Sequence, residues 1–510
     1  MSADPAHRRQ VSLERLAGQR FDLLVIGAGI VGSRIAYEAA SDGLRVALVD
    51  GGDFAGATSS ASSKLLHGGL RYLSTGDFGL VRRLQAERRS IATRIAPHLT
   101  APLPLVLAVE GRSRLCAAKL NSALGLYAAL GGRMWPVPHR LSLEAAGASI
   151  PALRRESVRS CGLVTEAVTH DARLTLATVR AAVEAGATTA NHVRVVELER
   201  RRGRVEGAVV EDAVTGDRLR VRSRAVVNAA GPWLDVVRKL EDGRAAPLVR
   251  LSKGVHVVVP LLDEWRAGLA LFDDSCTAIA IPWQGMLLLG TTDTPQERCP
   301  DRVGIGHAEI AHVLGRFVDV LQPELLEGPV VQAFGGFRVL SRGDHTTAHA
   351  RRRHVVATGS GGMVSVAGGK LTAHRLIAMD ALRRLPSEVR PRRRDPREAP
   401  LGHPCTRATA SILGDLLEAG SAAHLIGLYG EEARRVVGHD EHVADALERI
   451  DPNGPDIWAQ VDYARDEEWA LNEADVVERR TTLAVRGLGS AEILQAVRER
   501  LARRPEPAIF

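Results

Sequence analysis

The chain has 510 residues, 45% hydrophobic and 25% charged, which are the proportions of a soluble globular protein. A chain of this length is expected to fold as two or three domains. Its formal net charge of +7 favours anionic partners, namely phosphate metabolites, acidic lipids or nucleic acid, without choosing among them.

The cysteines are widely scattered, with no CxxC pair and no neighbouring histidine cluster. This pattern favours reduced thiols over a disulfide framework, and it predicts no metal site. The amino-terminal segment lacks the apolar core of a signal peptide, and no apolar run approaches the roughly 20 residues that a membrane span needs. We therefore expect a cytoplasmic protein. The cysteines are Cys116, Cys161, Cys276, Cys299 and Cys405.

The first predicted elements form a strand–helix–strand unit. Residues 21–26 are a short apolar run, residues 30–41 form a helix rich in alanine, and residues 44–49 are a second apolar strand. The turn before the helix carries the spacing GxGxxG. A lone GxGxxG would fit a turn in any α/β protein, but the full order of elements predicts a dinucleotide-binding unit.

Each residue of this fingerprint has a physical role. Gly27 allows the tight turn, Gly29 lets the backbone approach a pyrophosphate, and Gly32 allows the helix to pack closely on the strand. The amino terminus of the helix faces the phosphates with its partial positive charge. Asp50, about 20 residues past the glycines, is placed to accept hydrogen bonds from the adenosine ribose.

Residues 58–73 follow this unit and indicate a flat cofactor. The segment is small, hydroxyl-rich and bracketed by glycine, as backbone pressed against a flat ring system must be. It ends in Arg71 and Tyr72, a cationic and a phenolic side chain. His67 stands before two glycines, where a contact with the ring is expected.

Residues 112–132 predict an amphipathic helix with a basic amino-terminal end. Such a helix can lie in a lipid interface, and the alternative is an ordinary helix packed on the core. The apolar stripe comprises Cys116, Leu120, Ala123, Tyr127 and Leu130, and the basic residues are Arg112, Arg114 and Lys119.

Two later segments favour a flavin over a nicotinamide cofactor. Residues 224–233 read as a buried strand that ends in a turn of small residues. Residues 364–372 are again a strand followed by glycines, and a helix is predicted over residues 373–385. A second helix amino terminus aimed at the cofactor would stabilise negative charge on a reduced flavin ring.

The carboxyl-terminal part of the chain is predicted to be a separate helical domain. A basic linker interrupted by proline covers residues 383–396. Beyond about residue 400 the pattern is helical, with helices predicted over 431–437, 442–450, 458–483 and 491–503.

These segments resemble the FAD-dependent (aerobic, respiratory) sn-glycerol-3-phosphate dehydrogenases over nearly the whole chain. The resemblance implies an α/β fold with a Rossmann-like FAD-binding domain, a sheet-based substrate domain of the amino-acid-oxidase type and a carboxyl-terminal helical domain. The signatures that carry it are residues 59–73, 171–174, 228–233, 254–260, 281–283, 289–293 and 368–372.

The implied domains are built from discontinuous segments. The expected FAD-binding parts are 18–95, 166–245 and 335–385; the substrate-domain parts are 96–165, which includes the candidate membrane contact, and 246–334; the linker is 386–400 and the helical domain is 401–510. The residues expected to hold FAD are Gly27, Gly29, Gly32, Asp50, Thr58, Ser59, Ser63, Lys64, His67, Gly68, Gly231, Gly368, Gly369 and Leu371.

Oxidation of a phosphorylated secondary alcohol needs a base and cations that hold the phosphate. His256 is the best candidate base, because the unperturbed histidine pKa near 6.5 suits proton abstraction at neutral pH. Arg338 and Lys370 supply charge for the phosphate and the developing oxyanion. The expected catalytic residues are His256, Arg338 and Lys370, and the expected substrate-binding residues are Arg71, Tyr72, Arg352 and Thr372.

Three alternatives remain open for the base. His256 could be a structural histidine of the sheet, His67 could compete with it, or Arg338 could assist deprotonation by stabilising the alkoxide. The chain also departs from the family pattern: Val339 replaces a turn proline, and Arg353 replaces an acid after Arg352.

The sequence contains no haem or iron–sulfur spacing, so the flavin is expected to reduce a diffusible acceptor. The resemblance implies a membrane quinone and a peripheral position on the inner face of the cytoplasmic membrane, with contact to anionic lipid and a homodimer as further expectations. An α-glycerophosphate oxidase that uses oxygen is the alternative. A non-catalytic or RNA-associated flavoprotein is less favoured, because few aromatic residues accompany the basic linker, and no nucleic acid partner is expected.

Overall fold

The computed structural model describes residues 5–73, 76–110, 114–131, 136–272, 278–300, 303–342, 354–439 and 445–503. Two large sheets lie side by side, and a group of helices follows them in the chain. The strands are β1 (Arg20–Ile26), β2 (Val46–Val49), β3 (Leu65–Leu66), β4 (Thr100–Glu110), β5 (His139–Leu141), β6 (Val158–Thr169), β7 (Thr188–Ala190), β8 (Val193–Arg201), β9 (Arg204–Asp212), β10 (Arg218–Asn228), β11 (Val249–Pro260), β12 (Gly268–Leu271), β13 (Ile279–Trp283), β14 (Met286–Gly290), β15 (Thr294–Gln296), β16 (Gln332–Ser341), β17 (Val355–Thr358) and β18 (Val364–Ala367).

The helices connect and cover these strands. They are α1 (Pro5–Gly18), α2 (Ile30–Ser41), α3 (Phe78–Ser90), α4 (Arg114–Gly131), α5 (Leu143–Ser149), α6 (Asp171–Glu184), α7 (Leu234–Glu241), α8 (His307–Gly315), α9 (Pro323–Leu326), α10 (His374–Leu382), α11 (Arg407–Leu416), α12 (Ala419–Tyr429), α13 (Ala433–Val437), α14 (Trp458–Glu467), α15 (Glu473–Asp475) and α16 (Ala491–Ala502). Short 3₁₀ or π-helical turns cover Leu70–Leu73, Ile91–Ile95, Pro97–Leu99, Arg155–Ser157, Gly231–Trp233, Leu371–Ala373, Ser387–Val389, Gly430–Glu432 and Val476–Arg480.

The first sheet has the Rossmann-like arrangement that the sequence predicts. Its strands run in the order β17-β18-β10-β1-β2-β7, and β9 and β8 extend from β10. Strand β1 pairs in parallel with β2 and β10, so that Ile26 lies beside both Val49 and Asn228. The carboxyl ends of these three strands therefore meet at one edge of the sheet, where a parallel sheet binds its ligand.

The predicted strand–helix–strand unit is confirmed. Helix α2 has the predicted bounds and begins directly after Gly29. Strand β2 starts at Val46, two residues later than predicted from the apolar run at 44–49. Strands β1 and β2 are almost fully buried, as expected for parallel strands that are covered on both faces.

The second sheet contains ten strands in the order β15-β11-β14-β13-β12-β4-β6-β3, with β16 on β11 and β5 on β6. It crosses the predicted segment boundaries. Strand β16 pairs with β11 over residues 332–341, although residues 335–385 were predicted to belong to the FAD-binding domain. Strand β3 lies inside the predicted flavin segment and pairs with β6. The predicted boundary at residue 335 therefore falls inside one continuous strand of the second sheet, which composition and turn residues do not reveal.

The predicted basic linker is docked on the first sheet's helices. The Arg397 backbone N–H donates to Glu38 Oε1 at 2.9 Å, and its carbonyl accepts from Arg34 Nη2 at 2.6 Å. Arg34 and Glu38 also form a fully buried ion pair within α2. The backbone N–H of Arg392 donates to Asp42 Oδ2 at 2.5 Å. The linker is thus a strap across α2.

The carboxyl-terminal domain is helical, as the sequence predicts, but its longest predicted helix is broken. Helix α14 ends at Glu467, Trp469 has a positive φ of 58°, and α15 begins at Glu473. The break places the buried Arg480 against Asp53, in the loop that follows β2. This tertiary contact outweighs the local helical pattern over 458–483.

Helix α4 turns its predicted apolar stripe inward. Leu120 and Tyr127 of this stripe are at most 2% exposed and pack in the main core beside Leu124, while Lys119 faces solvent. The stripe is therefore a core contact, which was the alternative to lipid docking. Arg112 lies outside the described residues, and the side chains of Arg114 and Cys116 are not described. Among the helices that the structure describes, none has the length and apolarity of a membrane span.

We expect Glu38→Ala to lower the free energy of unfolding by about 3–5 kcal/mol, because it leaves the buried Arg34 charge unpaired. The same change should speed tryptic cleavage at the linker arginines, because the strap loses its acceptor at Arg397. Urea denaturation and timed proteolysis measure the two effects. Glu206→Ala, which removes an exposed partner of Arg20, is the control and should cost under about 1 kcal/mol. Equal effects of the two changes would contradict the buried ion pair.

Candidate active site: the cleft between the two sheets

A cleft of about 1770 Å³ lies between the carboxyl edge of the first sheet and one face of the second. It is large enough for a dinucleotide and a small substrate together, since sites for single small molecules occupy about 300–1,000 Å³. The predicted site residues that line it are Gly27, Gly29, Asp50, Thr58, Ser59, Ser63, Lys64, His67, Tyr72, Gly231, His256, Arg338, Gly368, Gly369, Lys370 and Leu371.

Three predicted contact residues lie behind the wall of the cleft. A Cβ at Gly32 would meet the Gly27 carbonyl oxygen at 1.8 Å, so Gly32 serves helix packing. The Gly68 backbone N–H donates to the Glu166 carboxylate at 2.8 Å. Thr372 is fully buried, and its hydroxyl donates to the His67 carbonyl at 3.2 Å. These residues shape the walls and do not line the cleft.

Two predicted substrate contacts cannot be placed. Arg352 lies outside the described residues, as does Arg353, the departure from the family pattern that follows it. The backbone at Arg71 forms part of the 3₁₀ turn Leu70–Leu73, and its side chain is not described.

The dinucleotide end of the cleft is formed by glycine backbone with little room for a side chain. Gly27 has φ of 100°, and a Cβ there would lie 2.6 Å from the Ala229 carbonyl oxygen. A Cβ at Gly29 would lie 2.9 Å from Ser59 Oγ, which accepts a hydrogen bond from the Ile30 N–H at the start of α2. This helix terminus fits the pyrophosphate of FAD, because the positive end of the α2 dipole attracts an anion.

Asp50 lies directly after β2, beside the glycine turn. Its carboxylate accepts hydrogen bonds from the backbone N–H groups of Ala28 at 2.6 Å and Gly52 at 2.9 Å. Burial raises the pKa of Asp50 to about 6, although these two hydrogen bonds oppose the shift. The carboxylate is at the strand end where a ribose-binding acid of a dinucleotide fold is expected.

A second glycine-rich edge faces the cleft after β18. Gly368 and Gly369 have φ values of 76° and 86°, a region that glycine adopts without strain. A Cβ at Gly369 would meet Ile377 of α10 at 2.3 Å. The predicted strand, glycines and helix are all present, and α10 begins at His374 after one 3₁₀ turn.

Lys64 is buried at the centre of the site. Its Nζ lies 2.7 Å from Asp171 Oδ1 and 5.1 Å from the ring centroids of Trp283 and Phe334. Asp171 also accepts from the backbone N–H and hydroxyl of Ser62, at 3.1 and 2.6 Å. Asp171 thereby fixes the hydroxyl-rich segment against the start of α6 and neutralises a buried cation.

His256 lies on β11 between Gly290 of β14 and Phe334 of β16. Its ring stacks on Phe334 with centroids 5.1 Å apart, and Nε2 lies 2.8 Å from Ser63 Oγ. Burial, with the charges of Arg338 and Lys64, lowers the pKa of His256 to about 3. This low pKa corrects the value near 6.5 that the sequence analysis assumed for His256. The sequence does not show that the ring is buried.

The two predicted cations face the cleft from different elements. Arg338 on β16 donates to the Thr292 carbonyl at 2.8 Å and to Thr291 Oγ1 at 2.9 Å, and it lies 3.5 Å from the Asp293 carboxylate. Lys370 Nζ lies 4.1 Å from the centroid of the Tyr72 ring. Gly254 leaves space for the guanidinium, since a Cβ there would lie 2.8 Å from Arg338 Nη2.

Comparison with known proteins agrees with this geometry. The family model described as "FAD dependent oxidoreductase" matches residues 22–375, and the model for the "C-terminal domain of alpha-glycerophosphate oxidase" matches residues 402–505. The chain is 35% identical over 494 residues to glycerol-3-phosphate dehydrogenase 2 of Mycobacterium tuberculosis, covering 94% of this chain and 83% of the relative. The chain belongs to the FAD-dependent glycerol-3-phosphate dehydrogenase family.

The chain is also similar to other glycerol-3-phosphate dehydrogenases and to an oxidase that shares the fold. The human mitochondrial glycerol-3-phosphate dehydrogenase is 32% identical, with 96% of this chain and 71% of that protein covered. The Bacillus halodurans glycerol-3-phosphate dehydrogenase, solved with FAD, has a TM-score of 0.74 at 25% identity, covering 97% of this chain and 92% of that one. The Mycoplasma pneumoniae L-alpha-glycerophosphate oxidase shares the fold, with a TM-score of 0.59 at 17% identity over 72% of this chain and 95% of that one.

Sequence reasoning did not assign a role to several residues of this family site. Asp171 belongs to one of the family signatures. Lys64 was expected at the cofactor, and a buried lysine needs an acidic partner, so Asp171 could have been predicted as that partner. Trp283 also lies in a signature, while Phe334 has no local signal because β16 places it under His256. Residues of the carboxyl-terminal domain line the same cleft, which no local pattern predicts.

Buried neutral histidines should make this family member sensitive to acid. Burial lowers the pKa of His98 to about 4 and those of His256 and His374 to about 3, against about 6.5 in an unfolded chain. The unfolded chain therefore binds more protons below pH 6.5, and stability falls as the pH falls.

We expect His256→Gln to reduce the loss of unfolding free energy between pH 6.5 and 4.5 by up to about 1.4 kcal/mol per pH unit. Urea denaturation at several pH values measures this slope. His307→Gln, at an exposed position on α8, is the control and should leave the slope unchanged. An unchanged slope in His256→Gln would mean that His256 carries the same charge in the folded and unfolded states.

Proposed function

We propose that this protein oxidises sn-glycerol 3-phosphate to dihydroxyacetone phosphate as an FAD-dependent dehydrogenase. The observation that carries the proposal is a single cleft in which a dinucleotide-binding edge faces His256, Arg338 and Lys370. Membership of the glycerol-3-phosphate dehydrogenase family supports the same substrate. When bound, FAD supplies the acceptor for the hydride that leaves C2 of the alcohol.

The chain's own residues would hold the cofactor along the first sheet. The turn at Gly27 and Gly29 and the amino terminus of α2 receive the pyrophosphate, and Asp50 is at the ribose end. The segment from Thr58 to Lys64 lies between the two sheets, where the backbone and small side chains leave room for the ring. Asp171 holds this segment in position through Ser62 and Lys64.

Arg338 and Lys370 are proposed to bind the phosphate, with Arg71 and Arg352 as further candidates from the family resemblance. A guanidinium pairs with phosphate oxygens through two parallel hydrogen bonds, and an ammonium adds a mobile point charge. Thr291 and Thr292 orient the Arg338 guanidinium before substrate arrives.

His256 is proposed to take the proton of the C2 hydroxyl at Nε2, the ring nitrogen next to Ser63. Its low pKa keeps the imidazole neutral and able to accept a proton at neutral pH. A phosphate dianion beside the same cations would oppose their field and raise this pKa toward the working range. Nδ1 is buried without a hydrogen-bond partner among the described residues, so Nε2 is the nitrogen that can act.

The direct test is anaerobic mixing of the FAD-loaded protein with glycerol 3-phosphate, with stopped-flow recording of flavin absorbance. We expect the absorbance to bleach with glycerol 3-phosphate and hardly at all with glycerol, because the phosphate contacts provide the positioning. Loaded protein that stays oxidised at millimolar glycerol 3-phosphate would overturn the proposal.

Variants separate phosphate binding from proton abstraction. Lys370→Ala should lose about 2–4 kcal/mol of transition-state stabilisation in kcat/KM, whereas the exposed Lys239→Ala should behave as the parent.

His256→Ala should still bind substrate, while the rate of flavin reduction falls by roughly 10²–10⁴ and the acid limb of its pH profile disappears. Reduction at the parental rate with the same pH profile would make His256 structural and pass the base role to a group assisted by Arg338.

We further propose that a quinone of the cytoplasmic membrane accepts the electrons, with the enzyme peripheral on the inner face. The family resemblance supports this acceptor, and the absence of haem or iron–sulfur spacing in the sequence favours a diffusible one.

The reduced enzyme should be reoxidised by a soluble quinone faster than by air-saturated buffer, and should pellet with anionic vesicles at low salt. Stoichiometric hydrogen peroxide with no quinone response would instead identify an oxidase.

A further inference from the structure

The carboxyl-terminal domain reaches the dinucleotide end of the cleft. Residues 472–479, which include α15, line it opposite the loop that follows β2. That loop carries Asp50, the acid at the ribose end. Asp53 and His192 line this end from one side, and Asp475 and Arg479 line it from the other.

A buried ion cluster joins the two sides. The Asp53 carboxylate lies 2.5 Å from Arg479 Nε and 2.8 Å from Arg480 Nη2, and it also accepts from Arg480 Nη1. Asn191 Nδ2 donates to the same carboxylate at 3.0 Å. Arg480 is fully buried, and the side chain of Asp53 is 1% exposed. We call Asp53, Arg479 and Arg480 the latch.

A second contact runs beside the latch. His192 Nε2 lies 3.0 Å from Asp475 Oδ2, and Asp475 Oδ1 accepts from Arg479 Nη2 at 2.9 Å. The His192 backbone N–H donates to the Gly52 carbonyl at 2.7 Å. Asp53, His192 and Asp475 could offer three ligand atoms to a metal, but the two guanidinium groups already neutralise the carboxylates.

The burial of these charges indicates what the latch does. A buried carboxylate is stable only when its partners neutralise it. The burial of Asp53 therefore stabilises the conformation in which Arg479 and Arg480 contact it. That conformation sets residues 472–479 against the adenosine end of the cleft. Arg480 itself does not line the cleft, and among the described residues its guanidinium bonds Asp53 and the backbone carbonyls of Asp475 and Glu468.

We propose that residues 472–479 complete the cofactor site as a wall over the adenosine half of FAD, and that the latch holds this wall. The carboxyl-terminal domain then determines how long FAD stays bound. This inference rests on FAD binding as proposed above. Arg480 does not line the cleft and is a positioning residue, whereas Asp53 and Arg479 line the cleft and connect Arg480 to the wall.

The first experiment uses the unmodified protein. Backbone amide exchange is compared between the FAD-loaded protein and the same protein stripped of FAD. We expect residues 472–480 to exchange at least about tenfold more slowly with FAD, because a bound ligand stabilises the state that it contacts. Residues of α16, in the same domain, serve as the internal reference. Equal exchange of residues 472–480 in the two forms would overturn the proposal.

The second experiment measures FAD release from Arg480→Met by the recovery of free-flavin fluorescence after dilution. We expect release at least about tenfold faster than from the parent. Arg500→Met is the matched control, because Arg500 is also buried in this domain and pairs with Asp462 at 2.6 Å, away from the cleft. It should release FAD within about threefold of the parental rate. Asp53→Asn tests the latch from the other side and should match Arg480→Met.

The outcomes separate this inference from the function it rests on. Parental release rates in Arg480→Met and Asp53→Asn would refute the latch and leave the dehydrogenase proposal intact. Equally fast release from Arg480→Met and Arg500→Met would also refute it, because retention would then reflect general stability of the domain. A parent protein that binds no FAD would refute the proposed function itself.

Discussion

The site depends on one buried ion pair, between Lys64 and Asp171. The hydroxyl-rich segment has to pass between the two sheets to reach the cofactor, and this passage buries an ammonium. Such a charge is stable inside a protein only when a carboxylate neutralises it and its remaining donors are satisfied. Asp171, at the start of α6, neutralises the Lys64 ammonium at 2.7 Å, and the Ser60 carbonyl accepts a second hydrogen bond from it at 2.6 Å. The segment's position therefore follows from the packing of α6.

The cations of the cleft set the chemistry of its histidine. Lys64 is neutralised by Asp171, but its field and that of Arg338 still act on the buried ring of His256. A neutral imidazole is the form that can accept a proton. The arrangement is complementary to an anionic substrate, because a dianion would be attracted by the same charges that hold the imidazole neutral.

Buried arginines connect the parts of the molecule to one another. Arg34 binds the linker to α2, Arg173 pairs with Glu468 of the carboxyl-terminal domain, and Arg480 binds Asp53. The guanidinium group suits this task because its fixed fork of donors satisfies a carboxylate and nearby carbonyls at once. Some of the arginines that make the chain basic therefore serve to hold the fold together. For this reason the net charge alone does not identify a nucleic acid or lipid partner.

The sequence by itself determined the local features of this protein. The bounds of α2, the glycine turn and Asp50 follow from short-range rules, since a Cβ at Gly27 or Gly29 would collide with neighbouring atoms in the fold. The family resemblance likewise singled out His256, Arg338 and Lys370, and all three line one cleft. Each of these predictions depends on a residue type at a fixed spacing, which a single chain displays directly.

Only the tertiary structure decided the long-range relations. The direction of the α4 stripe, the course of β16 into the second sheet, the low pKa of His256 and the contact of Arg480 with Asp53 all depend on partners far apart in the chain. An apolar stripe looks the same whether it faces core or lipid, and a histidine looks the same whether buried or exposed. Packing makes these choices, because burial and charge pairing are properties of the assembled fold and not of any one segment.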